Sequence, residues 1–174
     1  MNEALKNLLE RRSCRIYKEE QIKKEELDLI LKAGTYAPTG KGKQSPLIVV
    51  IQDKDKINSI ERINAKILGN EDAHTFFGAP TLIVVFGDIN SPFCKDDANL
   101  VIGNILNAAN ALGVDSCYVW RAKESFETDK GKEMMKEWNI PENYIGVGNV
   151  VLGYGKPEGK REALERKSDY IRFV

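Results

Sequence analysis

The chain of 174 residues has one histidine, His74, and three cysteines, Cys14, Cys94 and Cys117, set far apart. There is no CxxC pair and no His/Cys cluster at ligand spacing, which argues against a structural zinc site and a disulfide framework. A single histidine leaves no credible Ser/His/Asp set for nucleophilic catalysis. His74 reads as a structural or surface residue, and Cys14 and Cys117 as small apolar packing residues. No apolar run approaches ~20 residues, so no membrane-spanning helix is expected. The opening segment MNEALKNLLERR is amphipathic and carries acids, unlike a secretory signal, and a cytoplasmic location is the expectation. Lys+Arg and Asp+Glu balance at 26 each, without the basic excess of a nucleic-acid or polyanion binder. Any anion site is therefore local. No GxGxxG follows a strand and no GxxxxGK[ST] occurs, so neither Rossmann nor P-loop phosphate binding is indicated.

What is present is an ordinary globular composition, 42% hydrophobic and 30% charged, in a length suited to one domain. Residues 2–10 read as a short helix. Leu27, Ile30, Leu31 and Ala33 set a second helix over 23–35, ended by Gly34 and Pro38. A Gly/Pro-rich loop spans 37–46. Leu47–Ile51 is a β-branched apolar run, read as a buried strand. Ile57, Ile60, Ile63 and Ile67 make one stripe of a helix over 54–68. Strands are expected over 81–86, 116–120 and 147–152, and helices over 97–112 and 129–138. Residues 160–174 form a charged tail ending in Tyr170-Ile171-Arg172-Phe173-Val174. Helices and strands interleave, so the class is mixed α and β.

Arg11-Arg12-Ser13-Cys14-Arg15 places three arginines and a hydroxyl within five residues. Arginine grips anion oxygens with two N–H groups at once. In an extended segment alternate residues point the same way, so Arg11, Ser13 and Arg15 converge on one anion. The 97–112 helix is apolar on most faces, which makes it central or buried in a partner. Its Asn104, Asn107 and Asn110 lie along one edge. That edge reads either as a polar seam at water or as a subunit or ligand interface.

Five segments in order resemble the nitroreductase family of FMN-dependent oxidoreductases, over nearly the whole chain. They are Arg11-Arg12-Ser13-x-Arg15-x-Tyr17, then Ala37-Pro38-Thr39-Gly40 with Gln44-Ser45-Pro46, and Phe76-Phe77-Gly78-Ala79-Pro80. Asp97-Ala98-Asn99 through Leu112-Gly113-Val114-Asp115-Ser116-Cys117 follows, and Leu152-Gly153-Tyr154-Gly155 closes the series. The resemblance implies an α+β fold, a three-layer α/β/α arrangement with a mixed, mostly antiparallel central sheet. Residues 1–174 would form a single FMN-binding domain, built as an intertwined homodimer with two FMN sites at the interface. Arg11, Arg12, Ser13 and Arg15 would hold the FMN phosphate with a late basic residue, Arg161 or Arg166. Pro38, Thr39 and Gly40 would lie against the flavin, with Gln44 the family's loop glutamine. Tyr118, Val119 and Trp120 would pass near the ring, and Gly153 would let backbone approach the cofactor.

The chemistry implied is a hydride passed from NAD(P)H through FMN N5 to a nitroaromatic, quinone or similar acceptor, in a ping-pong exchange. The flavin carries the redox step, which suits a chain poor in catalytic side chains. Arg12, Lys41 and Lys43 are candidates for a positive charge near the reduced flavin. Gly42 departs from the asparagine common at its place, and Lys41 and Lys43 read as a solvated pair or a basic mouth for an acidic substrate. Alternatives stand beside this reading. One is a flavin-binding storage or sensing protein without turnover. Others are reductive dehalogenation or flavin fragmentation, whose branches usually add a lid that no insertion here supplies, and an acidic-ligand binder without flavin.

Overall fold

The computed structural model describes residues 1–174. Its helices are α1 (Glu3–Glu10), α2 (Lys24–Thr35), α3 (Lys54–Leu68), α4 (Cys94–Ala111), α5 (Ala122–Glu127) and α6 (Asp129–Glu137). Its strands are β1 (Leu47–Ile51), β2 (Thr81–Asp88), β3 (Asp115–Val119) and β4 (Tyr144–Gly153). Several boundaries follow from side chains. Asn2 accepts the Leu5 N–H at 2.9 Å to start α1, and Asp53 accepts the Lys56 N–H at 2.9 Å to start α3. Gly69, at φ 79°, ends α3 in the left-handed conformation.

The strands form one sheet in the order β1-β2-β4-β3, antiparallel at every pairing. The parallel component is confined to an isolated bridge from Ser13 to Ser116 on the outer side of β3. The two central strands, β2 and β4, are apolar on both faces, so each face carries a helical layer. Leu82, Val84 and Phe86 point into a core with Ile57 and Ile60 of α3 and Phe126 and Met134 of α5 and α6. The alternate residues Ile83 and Val85 point into a second core with Ile30 of α2 and Ile102 and Ile105 of α4. Both cores are built from buried apolar side chains, giving the expected α/β/α layering.

The central helix starts three residues earlier than its apolar pattern, at Cys94. Helix α5 was absent from the sequence reading; at six residues it is too short for a periodic signal and is fixed by Ala122, Ser125 and Phe126 packing inward. Strand β4 begins at Tyr144, and residues 161–174 carry no helix or strand. The asparagine edge of α4 is an internal clamp. Asn104 Nδ2 donates to the Ala33 carbonyl of α2 at 3.0 Å, and Asn110 Nδ2 to Asn7 Oδ1 of α1 at 2.6 Å. Asn7 Nδ2 in turn reaches the Asn107 carbonyl at 2.9 Å.

Candidate functional site: an arginine turn and a distant loop

The segment after α1 is threaded between β3 and the chain beyond β4. The Cys14 N–H donates to the Ser116 carbonyl at 3.0 Å, and the Arg15 N–H to the Gly159 carbonyl at 2.9 Å. Cys14 and Tyr17 are buried, while Arg11 and Ser13 are half-buried and Arg15 exposed. Burial pushes the Cys117 thiol up; the Arg15 charge, a hydrogen bond with Ser13 and the Arg11 charge act in the opposite direction. Arg11, Ser13 and Arg15 alternate along this extended segment at the β3 edge, where Ser13 bridges Ser116, and the Arg15 guanidinium lies 6.0 Å from the Phe77 ring centroid. Neither Arg11 nor Arg15 takes part in any ion pair of the structure. Two guanidiniums without ion pairs thus flank a hydroxyl on one short segment of a chain without net charge.

Arg12 stands apart from this group. Its Nη1 donates to the Leu9 and Arg11 carbonyls, each at 2.7 Å, so its charge closes the C-terminus of α1. Of the late basic residues, Lys160 bridges Cys14, and its Nζ lies 2.6 Å from Asp115 Oδ1. Arg161 follows it directly and is exposed beside the arginine turn. Arg166 lies further along the exposed tail, with no hydrogen bond or ion pair to that turn.

The loop 37–46 is built elsewhere. The Gly40 N–H donates to Asp97 Oδ1 in the first turn of α4 at 2.9 Å. A Cβ at Gly40 would lie 2.0 Å from the Phe93 ring, so only glycine permits this approach. Thr39 Oγ1 accepts the Gln44 N–H at 3.0 Å, which closes the loop, and the Tyr144 hydroxyl donates to the Ser45 carbonyl at 2.9 Å. Pro38 and Gln44 are exposed, Gln44 at φ 51°. Gly42, at φ 65°, has open space around its Cβ position, and asparagine also adopts that backbone readily.

Within one chain the loop and the arginine turn stay apart. The loop is tied to Asp97, while α1, which leads into the turn, is tied to Asn107 and Asn110 near the other end of α4. Ten residues of helix from Asp97 to Asn107 is about 15 Å. Ser13 also lies four strand spacings from β1, roughly 20 Å across the sheet.

At the end of β3 and just past it, Tyr118 and Trp120 present 37% and 64% of their surface to solvent. Val119 instead is buried in the core against α3 and α5, so its backbone alone is left to face a ligand. Gly153 is also buried, and a Cβ there would sit 2.8 Å from Pro80 and 2.9 Å from Tyr17. Packing of those two rings is reason enough for glycine at 153. Three residues to which the sequence alone assigns no role shape the site. Asp97 carries the loop, and its Oδ2 is buried without a hydrogen-bond partner. Asp115 holds Lys160 and accepts the Gly155 N–H at 3.0 Å. Arg121, at φ 73°, directs Nε to Asn64 Oδ1 at 3.2 Å just past Trp120. Only the acid in the first turn of α4 left a sequence signal; the other contacts join residues far apart in the chain.

With this geometry in hand, comparison with known proteins gives a consistent result. The model of the nitroreductase family matches residues 8–154. A protein of Archaeoglobus fulgidus, provisionally named NADH dehydrogenase/NAD(P)H nitroreductase, is 32% identical over 167 residues, covering 91% of this chain and 88% of that one. A nitroreductase with bound FMN from Bacteroides fragilis superposes with a TM-score of 0.90 at 27% identity, covering all of both chains. A second FMN-bound nitroreductase, from Desulfitobacterium hafniense, gives 0.88 at 28% identity, covering 100% of this chain and 99% of that one. The chain belongs to the nitroreductase family.

Proposed function

We propose that this protein is an FMN-dependent NAD(P)H oxidoreductase that reduces a nitroaromatic, a quinone or a similar acceptor in a two-step exchange. The observation that carries the proposal is that Arg11 and Arg15 flank Ser13 on the extended segment bridged to β3, with neither guanidinium in an ion pair. A phosphate dianion is the ligand that such a fork-shaped, doubly charged donor set fits best. Family membership and FMN-bound relatives of 27% and 28% identity support the same cofactor. When bound, FMN would supply the hydride-accepting and hydride-donating centre. The chain's own part is to bind and orient. Arg11, Ser13, Arg15 and Arg161 hold the phosphate, Pro38, Thr39, Gly40 and Gln44 line the flavin, and the 118–120 segment covers it. Arg12 supports α1 and acts through the position of Arg11.

The separation of turn and loop within one chain supports a homodimer in which the loop of one subunit lines the flavin whose phosphate the other subunit holds. Exposed apolar residues on the same side agree with this reading. Leu5, Leu8 and Leu9 of α1 are 52%, 55% and 61% exposed, and Leu100 of α4 is 48% exposed. Residues 1–174 would act as one FMN-binding domain. No helix is long and apolar enough to cross a membrane. The free thiols Cys14, Cys94 and Cys117 suit a reducing, cytoplasmic setting.

The test is an absorbance spectrum of the purified protein followed by anaerobic NADH or NADPH. Flavin bands near ~450 nm that bleach with either nucleotide and return on adding a quinone are expected. Bands that neither nucleotide bleaches would overturn the oxidoreductase reading and leave a flavin carrier.

A further inference from the structure

Away from the arginine turn, α5, α6 and the start of β4 line a half-open groove of about 750 Å³. That volume matches a drug-sized organic molecule. Its floor is apolar and comes from Phe126, Met135, Ile140 and Tyr144. Its rim carries Lys132 and Lys136, which lie one helical turn apart on α6 and so project to one side. Neither lysine has an ion-pair partner, whereas Lys123 at the same rim is 3.5 Å from Glu127. Glu142 is the one other acid at the rim, so the unpaired charge there is positive. Two like charges at i,i+4 repel, and a bound anion relieves that repulsion.

An apolar floor beneath two unpaired ammonium groups defines a ligand with a flat apolar body and an anionic end. We propose that this groove binds an amphipathic organic acid of aromatic size, its ring on Phe126, Met135 and Ile140 and its acidic group at Lys132 and Lys136. The site is separate from the arginine turn at the β3 edge and does not depend on the flavin. One lining residue does touch the loop, since the Tyr144 hydroxyl donates to the Ser45 carbonyl at 2.9 Å. Occupancy therefore bears on the end of the segment that carries Gln44 and Gly40.

The three methionines make a direct readout, since Met135 lines the groove, Met134 is buried behind it and Met1 is exposed at the terminus. Flavin-loaded protein labelled with 13C at the methionine methyls is titrated with 2-naphthoate and, separately, with neutral 2-naphthamide. A saturable shift of Met135, with Met1 unmoved and the amide binding at least about tenfold more weakly, is expected. The Lys132→Ala/Lys136→Ala double variant, at solvent-exposed positions, should weaken naphthoate about tenfold or more with the spectrum otherwise kept. No saturable Met135 shift at millimolar naphthoate would overturn the proposal. So would equal binding of acid and amide, or unchanged affinity in the double variant. Because the readout is a methyl shift, it stands whether or not the protein turns over NAD(P)H.

Discussion

Asp115 Oδ1 lies 2.6 Å from Lys160 Nζ, while its other oxygen accepts the Gly155 N–H at 3.0 Å. One nearly buried carboxylate thus pins both ends of the 155–160 segment, which in turn carries the Arg15 N–H on the Gly159 carbonyl. The arginine turn at the β3 edge is held in shape by an acid paired with Lys160 and with neither Arg11 nor Arg15.

That relationship gives the first prediction. Asp115→Asn should free Lys160 and loosen the 155–160 segment, raising the Kd for FMN about tenfold and costing about 1–3 kcal/mol of stability. Asp115→Glu, which can still reach Lys160, should recover part of the affinity. FMN titration and thermal melting of both variants check this.

A second prediction contrasts two glycines of one loop. Gly40→Ala drives a Cβ into the Phe93 ring and must displace the loop from Asp97. Flavin retention should fall at least about tenfold, as for a loss of ~1.4 kcal/mol or more of binding. Gly42→Asn meets open space at a left-handed position and should leave retention equal or better. Dialysis against flavin-free buffer, with the absorbance followed over time, separates the two.

The dimer is tested at α1. Leu8→Glu places a charge in the exposed apolar face of that helix without touching a buried residue of the chain. Sedimentation should show a wild-type dimer and a folded, predominantly monomeric variant that retains little FMN. A monomer that keeps full FMN would contradict the placing of the loop on a partner.

Much of this architecture is legible in the sequence because its signals are local. The β-branched runs at 47–51 and 81–86 and the isoleucine stripe of α3 each announce an element by period and composition. The alternation of Arg11, Ser13 and Arg15 likewise survives folding, since the segment is extended. What escaped is non-local. Arg12 reads in sequence as an equal of Arg11 and Arg15, and only the fold shows that its Nη1 is held by two carbonyls at the end of α1. The asparagine edge of α4 reads as a polar seam or an interface until α1 and α2 take up Asn110, Asn104 and the Asn107 carbonyl, while the Asn107 amide turns back to Gly103. Val119 looks like a ring contact until the pleat turns it into the core, and the Asp115–Lys160 pair spans 45 positions with no local trace.

The most direct measurement of the central claim is the FMN affinity of wild-type protein beside the Arg11→Ala/Arg15→Ala double variant. Both side chains are free of ion pairs, so their removal should leave the fold and melting temperature nearly unchanged. A Kd raised about a hundredfold or more, with riboflavin binding little affected, is the predicted result; two charge-assisted contacts of ~1.5–3 kcal/mol each account for it. Equal FMN affinity in the two proteins would contradict the account and move the phosphate away from the β3 edge.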